Sequence, residues 1–436
     1  MDWFCCNQAL RALAGAWLTL SLQSAQAAGM VDLFGLVFEN HPALQSQSRL
    51  IDAAQAEVRG ATWQFFPTPS VSVEQVSASP NDPSYNKDRR VTTFRLQQPL
   101  WTAGRLSAGV GRAEAMAIVA QAQLEETRQQ LALRTIQTWG EWKAGQQKVL
   151  ALVESVQTHQ RLYELIRRRV EIGVSAEADE VLAESRLAQT RAELGLAQAQ
   201  QTTALARFEQ LIGRRMDAAQ LQAFEVLPLG NAEDLRMLLD RSWQSSPTAA
   251  RLQAQARQLD MELQARKAQT YPEVFARAEH QQGSFSSSGL SSANRFFIGL
   301  SATPGAGLSA WSGIDAALAR LQANEAEVET TRRALLEQVS LEHITLVSQQ
   351  QRLPSLVASL RHVQAMVDSW DRQFLAGRKT WVEVMNAARE LSQAQTALAE
   401  VEVALTVASW RLAVLTEGVP AIVAAAQPSL VPAKLP

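Results

Sequence analysis

Apolar residues return every seven positions through the last third of the chain. Val384, Leu391, Leu398, Leu405 and Leu412 form one row, and Ala387, Ala394, Val401, Ala408 and Leu415 form a second row three residues on. Two rows at that spacing make a continuous seam on one side of a helix, the side that another helix must cover. Leucine faces small residues across the seam, so neighbouring helices can approach closely, as staves of packed coiled coil rather than parts of a bulky globular core. A looser version runs through Ala183, Leu187, Leu194, Ala197, Ala204, Phe208 and Leu211, and a further seven-step row is Val339, Leu346, Leu353, Leu360 and Val367. Pro354 falls inside that row and predicts a local kink or re-packing, because it lacks the backbone donor and crowds the preceding turn. No proline interrupts Gly104 to Ile172. About 68 residues at ~1.5 Å each predict a helix of ~100 Å there, and Ser309 to Ala376 predicts its equal.

Four short segments change to period two: Ser70 to Val76, Val91 to Gln98, Glu273 to His280, and Asn294 to Ala302. Phe94 and Leu96 alternate with Thr93, Arg95 and Gln97, while Phe296, Ile298 and Leu300 share one face. Each has one apolar and one polar face and roughly 8 to 10 residues, the length a tilted membrane strand needs. The intervening segments, Ala78 to Arg90 and Gly283 to Ser292, are rich in Ser, Asn, Asp, Pro and Gly, as suits solvent-exposed tips. Trp63, Trp101 and Trp311 stand where helix meets strand, which fits either anchoring at a membrane interface or ordinary packing at a domain corner.

The plan is written twice. Pro42, Pro67 and Gly173 recur as Pro247, Pro272 and Gly377, 205, 205 and 204 residues later. A repeated plan of this kind means units that cannot bury their faces alone. The expected organisation is a signal peptide over 1–27, a first structural repeat over 28–230 with its turn at 173, a second over 231–420 with its turn at 377, and a flexible C-terminal tail over 421–436. The signal peptide is read from Arg11, the apolar run Leu13 to Leu22 and the small-x-small Ala25-Gln26-Ala27. Both cysteines, Cys5 and Cys6, precede that run, so the exported chain offers no disulfide, thiol catalysis or cysteine metal site. Later segments hold no apolar stretch of helical membrane length. With 41 Lys+Arg against 43 Asp+Glu, nothing favours a nucleic-acid partner.

Four strands cannot close a barrel, and an open sheet edge in lipid leaves unpaired backbone groups costing several kcal/mol each. Closure has to come from copies. Two chains give eight strands, a diameter normally filled by side chains; three give twelve, wide enough for a water-filled lumen, so a transport role favours a homotrimer set in outer-membrane lipid. The fold class expected is mainly α with a small β part: a long coiled-coil α-helical barrel continuing a membrane β-barrel.

The duplicated helix-strand-strand-helix plan, the paired prolines, Gln98 to Arg105 (QPLWTAGR) and a glycine turn in each half together resemble the TolC-type outer-membrane efflux and secretion factors of Gram-negative bacteria. That resemblance implies a homotrimeric channel-tunnel that exports passively across periplasm and outer membrane. It also implies partners: a periplasmic adaptor and an inner-membrane transporter, either ABC-type or proton-driven. Phe374 to Asn386 is similar to the segment in which the family has a Tyr three before the glycine, a basic residue two after it, and Asp six and nine after it, forming the closed periplasmic iris. Lys379 and Glu383 keep two of those positions. Phe374 and Asn386 replace the Tyr and the second Asp, and Asp179 matches the partner acid of the first turn. The gate implied is therefore Asp179, Phe374, Lys379, Glu383 and Asn386. The turns Ile172-Gly173-Val174 and Ala376-Gly377-Arg378 are the expected adaptor-docking tips, since glycine permits the reversal and exposes backbone. Arg167, Arg168 and Arg169 read as a solvated tip face. Three copies of Glu383 in a narrow tunnel would favour cations; alternatively Glu383 and Asp179 are solvated acids complementing helix N-termini.

No catalytic constellation emerges. The histidines His41, His159, His280, His343 and His362 are scattered, with no two placed to share a metal on one helix face. Gly377-Arg378-Lys379-Thr380 lacks the upstream glycine of a phosphate loop, and no Gly-x-Ser-x-Gly elbow occurs. The expectation is a non-enzyme without cofactor or metal. Its cargo is open between protein, by type I secretion, and small molecules, by multidrug efflux. In a different class, a non-conducting exported coiled-coil scaffold or adhesin fits the same helices if the strands merely cap them.

Overall fold

The computed structural model describes residues 29–75, 77, 90–216, 221, 234–286, 289, 292–303 and 309–426. The expected signal peptide and most of the first loop tip lie outside them. The first repeat supplies α1 (Met30–Asn40), α2 (Pro42–Trp63), β1 (Thr68–Gln75), β2 (Arg90–Trp101), α3 (Arg105–Glu171) and α4 (Glu177–Ile212). The second supplies α5 (Leu235–Ser245), α6 (Pro247–Ala268), β3 (Glu273–Gln282), β4 (Ser292–Ser301), α7 (Ser309–Leu375) and α8 (Trp381–Thr416), followed by α9 (Val419–Ala426). The helices correspond in length one for one: 11, 22, 67 and 36 residues in each half. At ~1.5 Å per residue α3 and α7 each contain about 100 Å of helix.

The chain divides into two compact units, each drawn from both repeats: 42–128 with 240–338, and 1–41 with 129–239 and 339–436. The first unit contains the sheet, antiparallel throughout in the order β1-β2-β3-β4. Its register sorts the side chains. Val71 and Val73 stand on one face with Phe94, Leu96, Ala276, Ala278, Phe296, Ile298 and Leu300; Ser70, Ser72, Thr93, Arg95, Gln97, Arg277, Glu279 and Arg295 occupy the other. The apolar face is bare: Phe296 is 85% exposed and Ile298 81%. Within the described residues, β1 and β4 each pair along one edge only.

β2 runs three residues past its expected end because the register shifts between Pro99 and Trp101. A bulge is where a strand tolerates proline, whose missing donor would break a regular ladder. Below the sheet, Arg105 and Glu273 pair at 2.9 Å, and Gln98 Nε2 donates to the Phe65 carbonyl at 2.8 Å. Trp63, Trp101 and Trp311 are more than half exposed there, alongside Phe66 and Tyr271, and the Trp63 ring is tilted against Phe66 at 5.1 Å. Further along, Glu126 accepts from Arg251 at 2.8 Å and from Thr248 at 3.0 Å, tying α3 to α6.

In the second unit the seam of α8 is mostly interior: Val384, Ala387, Leu391, Val401, Leu405, Ala408, Leu412 and Leu415 are buried, while Ala394 and Leu398 are half-buried. Met30, Leu33, Phe34 and Val37 of α1 join this core, Phe34 meeting the Trp410 ring edge-on at 6.2 Å. Gln129 Nε2 on α3 donates to the Val414 carbonyl at 3.2 Å, and Arg411 pairs with Glu342 of α7 at 2.6 Å. α7 continues as helix on both sides of Pro354. Residues 421–426, expected to begin a flexible tail, instead complete α9, with Val419 and Ile422 buried; an apolar run directly after a helix found core to cover. Residues 427–436 lie outside the described set. Among the described residues no helix is long and apolar enough to cross a membrane.

Candidate functional site

The two glycine turns are alike in detail. Helix α3 ends with Gly173 N–H on the Val170 carbonyl at 2.9 Å and Val174 N–H on the Arg169 carbonyl at 2.8 Å; α7 ends with Gly377 on Phe374 at 3.0 Å and Arg378 on Gln373 at 2.8 Å. That pair of bonds requires a left-handed residue, and both glycines have it, at φ 72° and 73°. A side chain there would be strained. The turns thrust apolar side chains outward: Ile172 is 73% exposed, Leu375 68% and Val174 67%. Gly173, Ala376, Gly377 and Arg378 are exposed as well.

Four helix ends meet behind the turns in one apolar cluster: Leu162 and Ile166 from α3, Ala183 from α4, Phe374 from α7, and Trp381, Val384 and Met385 from α8. Phe374 is 2% exposed within it, so this ring packs the tip and is not displayed by it. Arg169 lies over the ring at 5.0 Å, a cation–π contact worth about 0.5–1 kcal/mol where partly exposed. Arg169 is thus a structural contact and departs from the expected solvated face, whereas Arg167 pairs with Glu171 at 3.1 Å in open surface.

Lys379 and Glu383 are brought together at 2.7 Å, one helical turn apart, with Lys379 Nζ over the Trp370 ring at 4.4 Å. Thr380 caps α8: its hydroxyl accepts from Glu383 N–H at 3.4 Å, and Glu383 accepts from Thr380 N–H at 2.9 Å. This reciprocal arrangement is a capping box, satisfying two otherwise unpaired helix-end donors. The Lys379 hydrogen bond, followed by those from Thr380, holds the Glu383 carboxyl down to about 2. Because that pKa lies below the ordinary carboxylate value, the charged cap contributes fully above about pH 4.5 and is lost as pH falls towards 2. Glu383→Gln is therefore expected to lower the melting temperature of the helical part at pH 7 and at pH 5. The gap between variant and wild type should close as pH falls through 2 in calorimetry; a gap that closes already near pH 4.5 would show an unperturbed carboxyl.

Asp179 occupies the matching third position of α4, partly exposed, but the residue at the cap is Ala176, which supplies no side-chain bond. Asn386 is exposed one turn along α8. Neither is hydrogen-bonded to the Lys379–Glu383 pair. The structure so joins Phe374, Lys379 and Glu383 around one turn and leaves Asp179 and Asn386 apart from them. Trp370 completes the tip without having been singled out in the sequence, and Thr380 and Arg169 take roles there, as helix cap and ring contact, that the sequence did not assign. Thr380-x-x-Glu383 was a legible capping signature; the two ring contacts bridge the turns and have no local signal.

A sheet with one bare apolar face and two unpaired edges, set in a chain of duplicated ~100 Å helices with glycine turns, defines the channel-tunnel class of outer-membrane proteins. The model of the outer membrane efflux protein family matches residues 33–214 and 238–418, and the chain belongs to that family, placing it in the outer membrane of a Gram-negative cell. Among curated relatives, the proteases secretion protein PrtF of Dickeya chrysanthemi is 26% identical over 228 residues, covering 48% of each chain. The alkaline protease secretion protein AprF of Pseudomonas aeruginosa is 25% identical over 244 residues, 50% of this chain and 48% of its own. The chain thus spans about half the length of the curated relatives it matches. Among solved structures, the outer-membrane channel OprN superposes with a TM-score of 0.75 at 20% identity over 89% of this chain and 90% of its own. The Campylobacter jejuni CmeC outer membrane channel gives 0.76 at 12% identity over 89% and 85%. At these identities the likeness speaks for the fold.

Proposed function

We propose that three copies of this chain close their sheets into one twelve-stranded barrel and their helices into a continuous wall, making a passive duct from the periplasm through the outer membrane. The observation that carries this is the sheet itself, with an apolar face bare to its surroundings, a polar face opposite, and open edges at β1 and β4. In hydrocarbon such edges must be paired, and the described residues of one chain hold no further strand to pair them with. The helices have the same need: Leu341 and Ile344 of α7 lie one turn apart and more than half exposed, as expected of a face awaiting a neighbour.

In this reading the exposed turns at Gly173 and Gly377 meet a periplasmic adaptor, which links the duct to an energised inner-membrane transporter. Ile172, Val174 and Leu375 are the apolar anchors such a contact would bury. Phe374, Lys379, Glu383, Asp179 and Asn386 belong to the periplasmic end, where the first three govern helix-end geometry and the Lys379–Glu383 pair cancels much of the charge a ring of Glu383 would carry. Protein cargo by type I secretion is favoured over small-molecule efflux, since both curated relatives are named as secretion proteins for proteases. Purified protein in a planar bilayer is expected to give discrete single-channel currents. Bilayers that stay silent at every pH and salt concentration would instead support a non-conducting scaffold.

A further inference from the structure

The polar face of the sheet is not evenly polar. Its register aligns Ser70, Arg95, Glu279 and Arg295 in one transverse row across all four strands, with Gln97, Arg277 and Phe297 in the adjoining row. Arg95 Nε donates to Glu279 Oε1 at 2.7 Å, and Arg277 Nε lies 3.1 Å from the same oxygen without hydrogen-bond geometry, its N–H left buried and unpaired. Arg295 donates to the amide oxygen of Gln281 at 3.2 Å, a neutral partner. Three guanidinium groups therefore stand around one carboxylate, with Arg95 and Arg277 against it and Arg295 opposite it in the register. The remaining acids of this face sit at its ends: Glu74 lies beyond the uncharged level of Ser72, Thr93 and Gln281, and Glu273 is taken by Arg105 at 2.9 Å.

The cluster is also built to stay in place. The Arg277 guanidinium rests 4.8 Å from the Phe297 ring centroid and 5.5 Å from that of Phe275. Phe275 in turn lies across Gly299, where a Cβ would come within 2.5 Å of the ring. A guanidinium held between aromatic faces keeps its charge and loses little freedom when it binds an anion, and two-pronged donation suits a carboxylate.

We propose that Arg95, Arg277 and Arg295 form a cationic belt, two net positive charges per chain after Glu279, that binds multivalent carboxylate anions in the lumen of the barrel. This rests on the duct reading, which turns the polar face inward and repeats the belt threefold around a confined passage, where like fields add and screening is weak. Citrate is the probe. Added on the barrel side of single channels, it is expected to reduce the wild-type current at millimolar concentration, with half-block shifted up at least about tenfold in Arg95→Gln/Arg277→Gln/Arg295→Gln, as loss of charge-assisted bonds implies. Arg295→Gln alone, at an exposed site hydrogen-bonded to Gln281, keeps the test open should the triple variant fail to assemble, and should weaken block in the same direction. Glu279→Gln should strengthen it. Steady currents that citrate does not block, or blocks equally in wild type and Arg295→Gln, would overturn the belt while leaving the duct intact; absence of any current would overturn the duct, and the belt with it.

Discussion

Phe296→Arg is expected to abolish assembly in the outer membrane. Phe296 stands in mid-strand on the bare face of the sheet, 85% exposed, and a charged side chain facing lipid costs ~2–4 kcal/mol near the bilayer midplane. Repeated in three copies, the penalty reaches roughly 6–12 kcal/mol, comparable to the whole stability of an ordinary folded domain. Outer-membrane fractions from cells making the variant should lack the heat-resistant oligomer expected of wild type. Ser72→Arg is the control, since the register puts Ser72 on the opposite face and an arginine there would point into water. Equal assembly of the two variants would mean that the apolar face does not contact lipid.

Phe374→Ala is expected to loosen the helix tips without dissolving the rest. The ring is almost fully buried among Leu162, Ile166, Trp381, Val384 and Met385, beneath Arg169. Truncating such a ring costs ~3–5 kcal/mol through lost burial and the cavity left behind. The cluster joins the ends of four helices, so the damage should concentrate at the turns. Trypsin should then cut the variant at Arg169 and Arg378 at least tenfold faster than wild type, with oligomers still present in the membrane fraction. Unchanged cleavage would mean that Phe374 does not hold the two turns in register.

Much of this architecture could be read from residue spacing because its determinants are local and repeated. The row from Val384 to Leu412 is, apart from the half-buried Leu398, the interior of α8, and the run from Gly104 to Ile172, free of proline, is one helix within a residue at either end. Strand faces followed from alternation alone. What spacing could not show depends on partners far apart in the chain. Arg169 over Phe374 joins residues of different repeats, and the shared Glu279 carboxylate appears only once β2 and β3 are in register. The bulge at Pro99 lengthened β2 beyond its apparent end, because pairing with β3 resumes past the irregularity. The apolar residues after Gly418 looked like a tail only because no periodicity is visible in so short a segment; burial of Val419 and Ile422 makes it a helix.

Cross-linking of the sheet edges tests the central claim most directly. Cys5 and Cys6 are the chain's only cysteines, so with both replaced by serine, new cysteines on β1 and β4 are the sole thiols, and a disulfide between them can form only where those strands are neighbours. Oxidation of membranes carrying a panel of such pairs on the shared apolar face, for example Val71→Cys with each of Asn294→Cys, Phe296→Cys and Ile298→Cys, is predicted to yield covalent dimers and trimers and nothing larger. Species confined to the mass of one chain for every pair, or an open series extending past three, would contradict closure of the barrel by three copies.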